Sequence, residues 1–273
     1  MAIKALIVGI NHYLGIEDLS ICINDADDWE NLFKEKFNVA PEYIQKSTGN
    51  TSTIKSNILS HLEQLVASLE SIDIGVFIFS GHGSYDVITD NEGIWVEQQL
   101  MARDRQISEI EIAEIIKKVP ATSQFICILD SCFSGGFHLY RKDLNSDLAK
   151  KTPNDKNMIL RDVEVKTFKK TPVLDIPENA KFRNTFQLNS MSKNIYTLTA
   201  SDKEELAYGG KINGRKNSAF SKYLIDEIKK NKAQSYGDLF LKIYQKLPNK
   251  ELGFNQTPQL FQKDSKTRKT IFN

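Results

Sequence analysis

Cysteine is scarce: the 273 residues hold three, Cys22, Cys127 and Cys132. An odd, sparse count argues against a disulfide framework and fits a reducing compartment. Histidine is nearly as rare, with four in the chain. No Cys/His cluster has the close spacing of a zinc site. Long apolar runs are also missing. The first, Ala5 to Ile10, is broken by Gly9 and followed by Asn11-His12. It is too short to span a bilayer, and no small-residue cleavage site follows as in a signal peptide. Finally, there is no charge of one sign to spare: 36 Lys and Arg stand against 35 Asp and Glu, a net +1. Nothing global points to nucleic acid or to an anionic membrane, and neither is expected as a partner. The expected location is the cytoplasm.

What is present is ordinary globular material, 40% apolar and 26% charged, enough to bury a sizeable core. Short, nearly unbroken runs rich in Ile, Val and Phe read as strands covered on both faces. They are Ile3–Ile10, Ile74–Phe79, Phe125–Leu129 and Ile195–Thr199. A weaker strand is expected at Tyr43–Lys46 and an edge strand at Gln259–Phe261. Amphipathic stretches lie between them. Asn24-Asp25 is expected to cap a helix over Ala26–Phe37, and Thr51 or Ser52 one running to Leu69. Ser108 and Glu111 form a capping-box pattern before Ile112–Val119, with Pro120 as the stop. Asn217–Lys230 and Ser235–Leu247 read as two more helices. Strand–helix alternation predicts an α/β sandwich on a mostly parallel sheet, its active site beyond the carboxyl ends of the strands.

Residues 137–189 break that rhythm. They are 53 residues with little periodicity, holding eleven Lys or Arg and seven acids. Loops of that length are functional or disordered more often than structural. Two readings stand side by side: a solvated excursion with a β-hairpin around Val163–Phe168, and a cleavable linker.

Two strand ends carry the chemistry. Phe77-Ile78-Phe79 runs into Ser80-Gly81-His82-Gly83, a histidine bracketed by glycines. Glycine permits unusual backbone angles and close approach of another segment. Ile126-Cys127-Ile128-Leu129 runs into Asp130-Ser131-Cys132. Cys127, in mid-strand, reads as a small buried hydrophobe, whereas Cys132 lies past the strand end, where backbone N–H groups are available. Neighbouring parallel strands would bring His82 and Cys132 to one sheet edge. Histidine exchanges protons near neutral pH, so it can serve a cysteine nucleophile. The N–H groups of Gly83 and Cys132 are the natural oxyanion donors.

Ser80-Gly81-His82-Gly83 followed fifty residues later by Asp130-Ser131-Cys132 resembles the catalytic dyad of metacaspases and their prokaryotic relatives. Ala5–Asn11, Cys22-Ile23-Asn24-Asp25-Ala26, Leu198-Thr199-Ala200-Ser201 and Gln256-Thr257-Pro258-Gln259 are similar to further motifs of that family. The likeness covers nearly the whole chain apart from 137–189. It implies a single caspase-like domain over 1–273, with about six strands, helices on both faces, and the basic loop between a large and a small portion. It implies a cysteine endopeptidase that needs no cofactor for its chemistry.

The pentapeptide of true caspases around the cysteine is absent: Asp-Ser precedes Cys132 and Phe follows it. By the resemblance, the specificity pocket is Cys22, Asp25, Ser80 and Asp130. Two carboxylates there would hold a Lys or Arg side chain and repel an acid. Taken singly, Asp25 reads as a helix N-terminal acid and Asp130 as a strand-end turn residue. Metacaspases are often activated by calcium, and the corresponding stretch offers Asp90, Glu97 and Asp104 as candidate ligands. Ile94-Trp95-Val96 and Arg105 depart from the family's acidic pattern, so these are read as solvated loop acids. An enzyme cutting after Lys or Arg could process its own loop at Lys150, Lys151, Lys169 or Lys170, or an activating protease could. No recruitment domain is expected outside the domain, so any adaptor would be another chain. Two alternatives stay open: a latent or non-catalytic caspase-like interaction module, and a related peptidase specific for Asn.

Overall fold

The structure is a computed structural model that describes residues 1–132, 160–165, 179–182, 194–202, 205–230, 235–247, 256–262 and 270–272. Its centre is a six-stranded sheet. In chain order the strands are β1 (Ile3–Gly9), β2 (Ile44–Ser47), β3 (Ile74–Ser80), β7 (Gln124–Asp130), β10 (Ile195–Thr199) and β13 (Gln259–Gln262). In space they run β13-β10-β7-β3-β1-β2. Every pairing is parallel except that of β13 with β10.

Alternate residues of each strand feed opposite cores, as a period of two requires. Val76, Ile78, Ile126 and Ile128 face α1 (Cys22–Phe37), α4 (Ala219–Lys230) and α5 (Tyr236–Lys246). Phe77, Phe79, Phe125, Cys127 and Leu129 face α2 (Lys55–Ser68) and α3 (Glu109–Ile116). Helices therefore cover both faces, and the strands that read as continuous apolar runs are the ones buried on both sides.

Two small antiparallel sheets sit beyond the main one. The first is β4 (Gly83–Asp90), β5 (Gly93–Met101) and β6 (Gln106–Ser108), with β9 (Lys181–Phe182) parallel to β5. The second is β8 (Leu160–Val165), β11 (Tyr208–Ile212) and β12 (Arg215–Ser218).

Several expectations are corrected. Helix α1 begins at Cys22, so Asn24 and Asp25 lie inside its first turn. The cap comes from across the chain, where Asn11 Oδ1 accepts the N–H groups of Cys22 (2.9 Å) and Ile23 (3.2 Å). Helix α2 begins at Lys55, whose N–H donates to Asp104 Oδ1 at 2.8 Å. Thr51 and Ser52 belong to the preceding turn, with Ser52 bonded to Gly49. Of the hairpin expected near Val163–Phe168, residues 160–165 form a strand, β8, paired with distant β11, and residues 166–168 lie outside the described residues. Asn217 and Ser218 belong to β12, not to α4. The capping box of Ser108 and Glu111 is present as read.

Candidate active site

Strand register sets the site. β3 pairs with β1 on one side and β7 on the other, so Gly9, Ser80 and Asp130 stand side by side at the carboxyl edge. His82 lies two residues beyond Ser80, and Cys132 two beyond Asp130. Both are buried, at 1% exposure each. The two segments meet backbone to backbone. A methyl group placed on Gly83 would lie 1.9 Å from the Cys132 carbonyl oxygen and 3.1 Å from its nitrogen. Only glycine allows this approach.

Three contacts from the loop after β1 hold His82. Its backbone N–H donates to the Tyr13 hydroxyl at 2.8 Å. The Tyr13 ring lies 4.7 Å from the imidazole, centroid to centroid. The third contact is between His82 Nε2 and the Glu17 carbonyl oxygen, at 2.8 Å. A carbonyl can only accept, so Nε2 carries the proton and Nδ1 is the basic nitrogen of the neutral ring. Burial raises the Tyr13 phenol well above its usual value, helped by the nearby Cys22. It therefore stays a neutral acceptor for His82. The loop is itself tied down by Asp18, which accepts the Tyr13 N–H at 2.9 Å and meets His12 at 2.8 Å.

Cys132 is in contact with the segment ahead of β11. Ala207 N–H donates to Sγ at 3.1 Å, and Sγ lies 3.7 Å from the Ala207 carbonyl oxygen. Tyr208 beside it has its phenol raised by burial and then by the charge of Cys132. Gln256 fastens this segment: its Oε1 accepts Tyr208 N–H (3.1 Å) and its Nε2 donates to Ala200 O (2.9 Å).

The four expected pocket residues converge. Asp25, Cys22, Ser80 and Asp130 are all fully buried. Ser80 Oγ donates to Asp25 Oδ2 at 2.7 Å. Asp25 also accepts Ser218 N–H (2.9 Å), Asn217 Nδ2 (3.1 Å) and the Ser218 hydroxyl. Asp130 Oδ2 accepts the N–H (2.9 Å) and hydroxyl (2.6 Å) of Ser221. Both carboxylates thus face the start of α4, where unsatisfied N–H groups favour negative charge.

The candidate calcium ligands are not brought together. Asp90 accepts Trp95 Nε1 and Glu92 N–H at the β4–β5 turn. Glu97 is buried on β5 opposite Asp86, and Asp104 caps α2. Among the described residues no group of three or more His, Cys, Asp or Glu could hold a metal ion. Lys150, Lys151, Lys169 and Lys170 lie outside the described residues. No described helix is long and apolar enough to cross a membrane.

Tyr13, Glu17, Ala207, Ser218 and Ser221 were not singled out in the sequence. A tyrosine two residues after the end of Ala5–Asn11 was an available signal for Tyr13. Glu17 and Ala207 act through backbone atoms, which no side-chain pattern reports.

A mostly parallel six-stranded sheet that sets a histidine and a cysteine at adjacent strand ends defines a caspase-like α/β domain. The comparisons agree. Residues 2–269 match the family model described as caspase domain, and the chain belongs to that family. It is 26% identical over 94% of its length to Metacaspase-1 of Coccidioides immitis, of which it covers 60%. It is 24% identical over 94% of its length to Metacaspase-1 of Schizosaccharomyces pombe, of which it covers 66%. The chain thus spans under two thirds of the length of these curated relatives. Among solved structures, protein GSU0716 from Geobacter sulfurreducens matches at TM-score 0.65 and 15% identity, covering 99% of this chain and 97% of that one. Caspase-1 from Spodoptera frugiperda matches at TM-score 0.50 and 11% identity, covering 95% and 86%. These two speak for the fold alone.

Proposed function

We propose that the protein is a cysteine endopeptidase that hydrolyses peptide bonds after Lys or Arg. Cys132 is the nucleophile and His82 its base. The observation that carries this reading is the contact of His82 Nε2 with the Glu17 carbonyl oxygen. Glu17 holds the proton on Nε2, which leaves Nδ1 to take a proton from the thiol and return it to the leaving amine. The thiolate attacks the scissile carbonyl carbon, and the oxyanion is received by the N–H groups of Gly83 and Cys132. The amine departs with the proton from His82. Water then attacks the thioester, losing a proton to His82, and Cys132 is regenerated.

Specificity for a basic residue is supported by the two buried carboxylates, Asp25 and Asp130, with Ser80 beside them and the Cys22 backbone against Gly9 at the end of β1. A Lys or Arg head would gain charge-assisted hydrogen bonds there, whereas an acidic residue would meet like charge.

One observation favours a latent form. Cys132 Sγ is engaged by the Ala207 backbone and shielded from solvent. A substrate must move the 205–208 segment before the thiol can attack. Cleavage within 137–189, at Lys150, Lys151, Lys169 or Lys170, would supply that freedom, by self-processing or through another protease. Calcium binding through Asp90, Glu97 and Asp104 would require those three residues to draw together.

The test is purified protein against fluorogenic peptides ending in Arg, Lys, Asn or Asp, with and without calcium, beside Cys132→Ala. Cleavage after Arg or Lys that disappears in the variant is the expected result. Cleavage after Asn alone would replace the pocket assignment. Silence in every lane, persisting after limited proteolysis of the loop, would leave a non-catalytic module.

A further inference from the structure

Cys132 lies under a strap, the segment from Glu205 to Tyr208. Ala207 is the point of contact: its N–H donates to Sγ at 3.1 Å, and its carbonyl oxygen stands 3.7 Å from the same sulfur. The two ends of the strap are fastened to consecutive residues. Tyr208 N–H donates to Gln256 Oε1 at 3.1 Å. Glu205 Oε2 accepts Thr257 N–H at 2.6 Å, and its Oε1 accepts the Thr257 hydroxyl at 2.9 Å. Thr257 leads through Pro258 into β13, so the strap is tied to the main sheet.

The two fastenings are not alike. Gln256 is fully buried and also donates to Ala200 O at 2.9 Å, so it belongs to the frame. Glu205 is only partly buried. Its carboxylate can only accept, and it meets donors: the two of Thr257, and Asp202 N–H at 3.3 Å. Hydrogen bonds to a carboxylate are the stronger kind, yet bonds within reach of solvent are the ones that part first in local opening. One end of the strap is therefore built in, and the other is held by bonds that can be released.

While Ala207 rests on Sγ and Cys132 is 1% exposed, neither a scissile carbonyl nor an alkylating reagent can approach the sulfur. We propose that Glu205 is the latch of this strap. It is a positioning residue that acts through Ala207: its bonds to Thr257 keep the thiol covered, and the thiol becomes reachable when they part. The proposal rests on the reading of Cys132 as the nucleophile.

The experiment is alkylation of the full chain by iodoacetamide, followed separately at Cys132 and Cys127 by mass spectrometry of peptides. Cys127 lies in the middle of buried β7 and reacts only if the core opens. Where alkylation waits on a rapid local opening, its rate follows the open fraction. In Glu205→Ala the rate at Cys132 rises about tenfold, as expected for losing one hydrogen bond to a charged group, and Cys127 keeps its wild-type rate. Thr257→Val, which removes one of the two bonds, gives a smaller rise at Cys132. Joined to Glu205→Ala it adds nothing further, because the partner is already gone. An unchanged or slower Cys132, equal acceleration of both cysteines, or effects that multiply in the double variant overturns the proposal. Should Glu205→Ala fail to fold, Glu205→Gln keeps the size and turns one acceptor into a donor facing donors. It must accelerate Cys132 alone, and any other result sinks the latch. Alkylation decides the strap whether or not peptides are cut. A wild type and a Glu205→Ala variant that both cleave no peptide overturn the reading of Cys132 instead.

Discussion

At position 83 the backbone leaves no space for a methyl group, because the Cys132 carbonyl oxygen already stands 1.9 Å from where it would go. Gly83→Ala must push the two strand ends apart and with them a proposed oxyanion donor. Loss of one such donor costs about 100-fold to 1,000-fold in kcat. A kcat within threefold of wild type, with the variant folded by circular dichroism, would remove Gly83 from the site. Tyr13→Phe takes away the acceptor for His82 N–H, and stability is expected to fall by about 1 kcal/mol in urea titration. The placement of His82 and Cys132 just beyond two adjacent strand ends was legible in the sequence because each follows a buried strand among small residues. The partners that orient them were not. Tyr13 and His82 are 69 residues apart, and the Glu17 contact uses a carbonyl that every residue possesses.

Among the elements, α1 depends on a residue outside itself. Asn11 closes the first turn with two hydrogen bonds from the loop after β1, so helix and loop are ordered together. Asn11→Ala is expected to cost about 1 kcal/mol, as for loss of a helix cap. It should also lower kcat, because the same loop carries Tyr13 and Glu17. The matching control is Ser108→Ala, which removes the cap of α3 for a similar cost of about 1 kcal/mol and leaves kcat unchanged. Equal effects of the two variants on kcat would sink the coupling between α1 and the site. The central strands β1, β3, β7 and β10 were legible to within a residue because both their faces are apolar. The accessory hairpins were not. β4 and β5 mix exposed and buried residues irregularly, and their acids drew attention as loop ligands. The β11–β12 turn carries the pair Asn213-Gly214, with φ of 50° and 88°. That dipeptide is a strong hairpin signal, and it went unread because the helix pattern beginning at Asn217 overlapped the second strand.

For the whole molecule, acid should be destabilising. Burial pushes the Asp73 carboxyl up, but the N–H groups of Ala2 and Glu70 and the Lys4 ammonium outweigh it and hold it below the ordinary 3.8. Asp104 is likewise raised by burial but lowered further by Lys55 N–H and Arg105, and Glu111 by Lys55 and Ser108. A carboxyl depressed in the folded state contributes stability above its unfolded pKa and loses it as pH falls through the folded value. Asp28, raised mainly by burial, runs the other way, against these three and the likewise lowered Asp18, Glu30 and Glu227. The urea midpoint should therefore drop between pH 5 and pH 3. A midpoint that holds or rises over that interval would contradict the assignment.

The order β13-β10-β7-β3 has a mechanical consequence. After residue 194 the chain re-enters the sheet by laying β10 against β7 along five register positions, from Ile195 on Phe125 to Thr199 on Leu129. The chain's two halves are thus joined by a shared hydrophobic seam as well as by peptide bonds. Fragments 1–132 and 194–273, produced separately, should find one another in solution and elute together from a sizing column. Breaking that pair would then require unfolding the sheet itself.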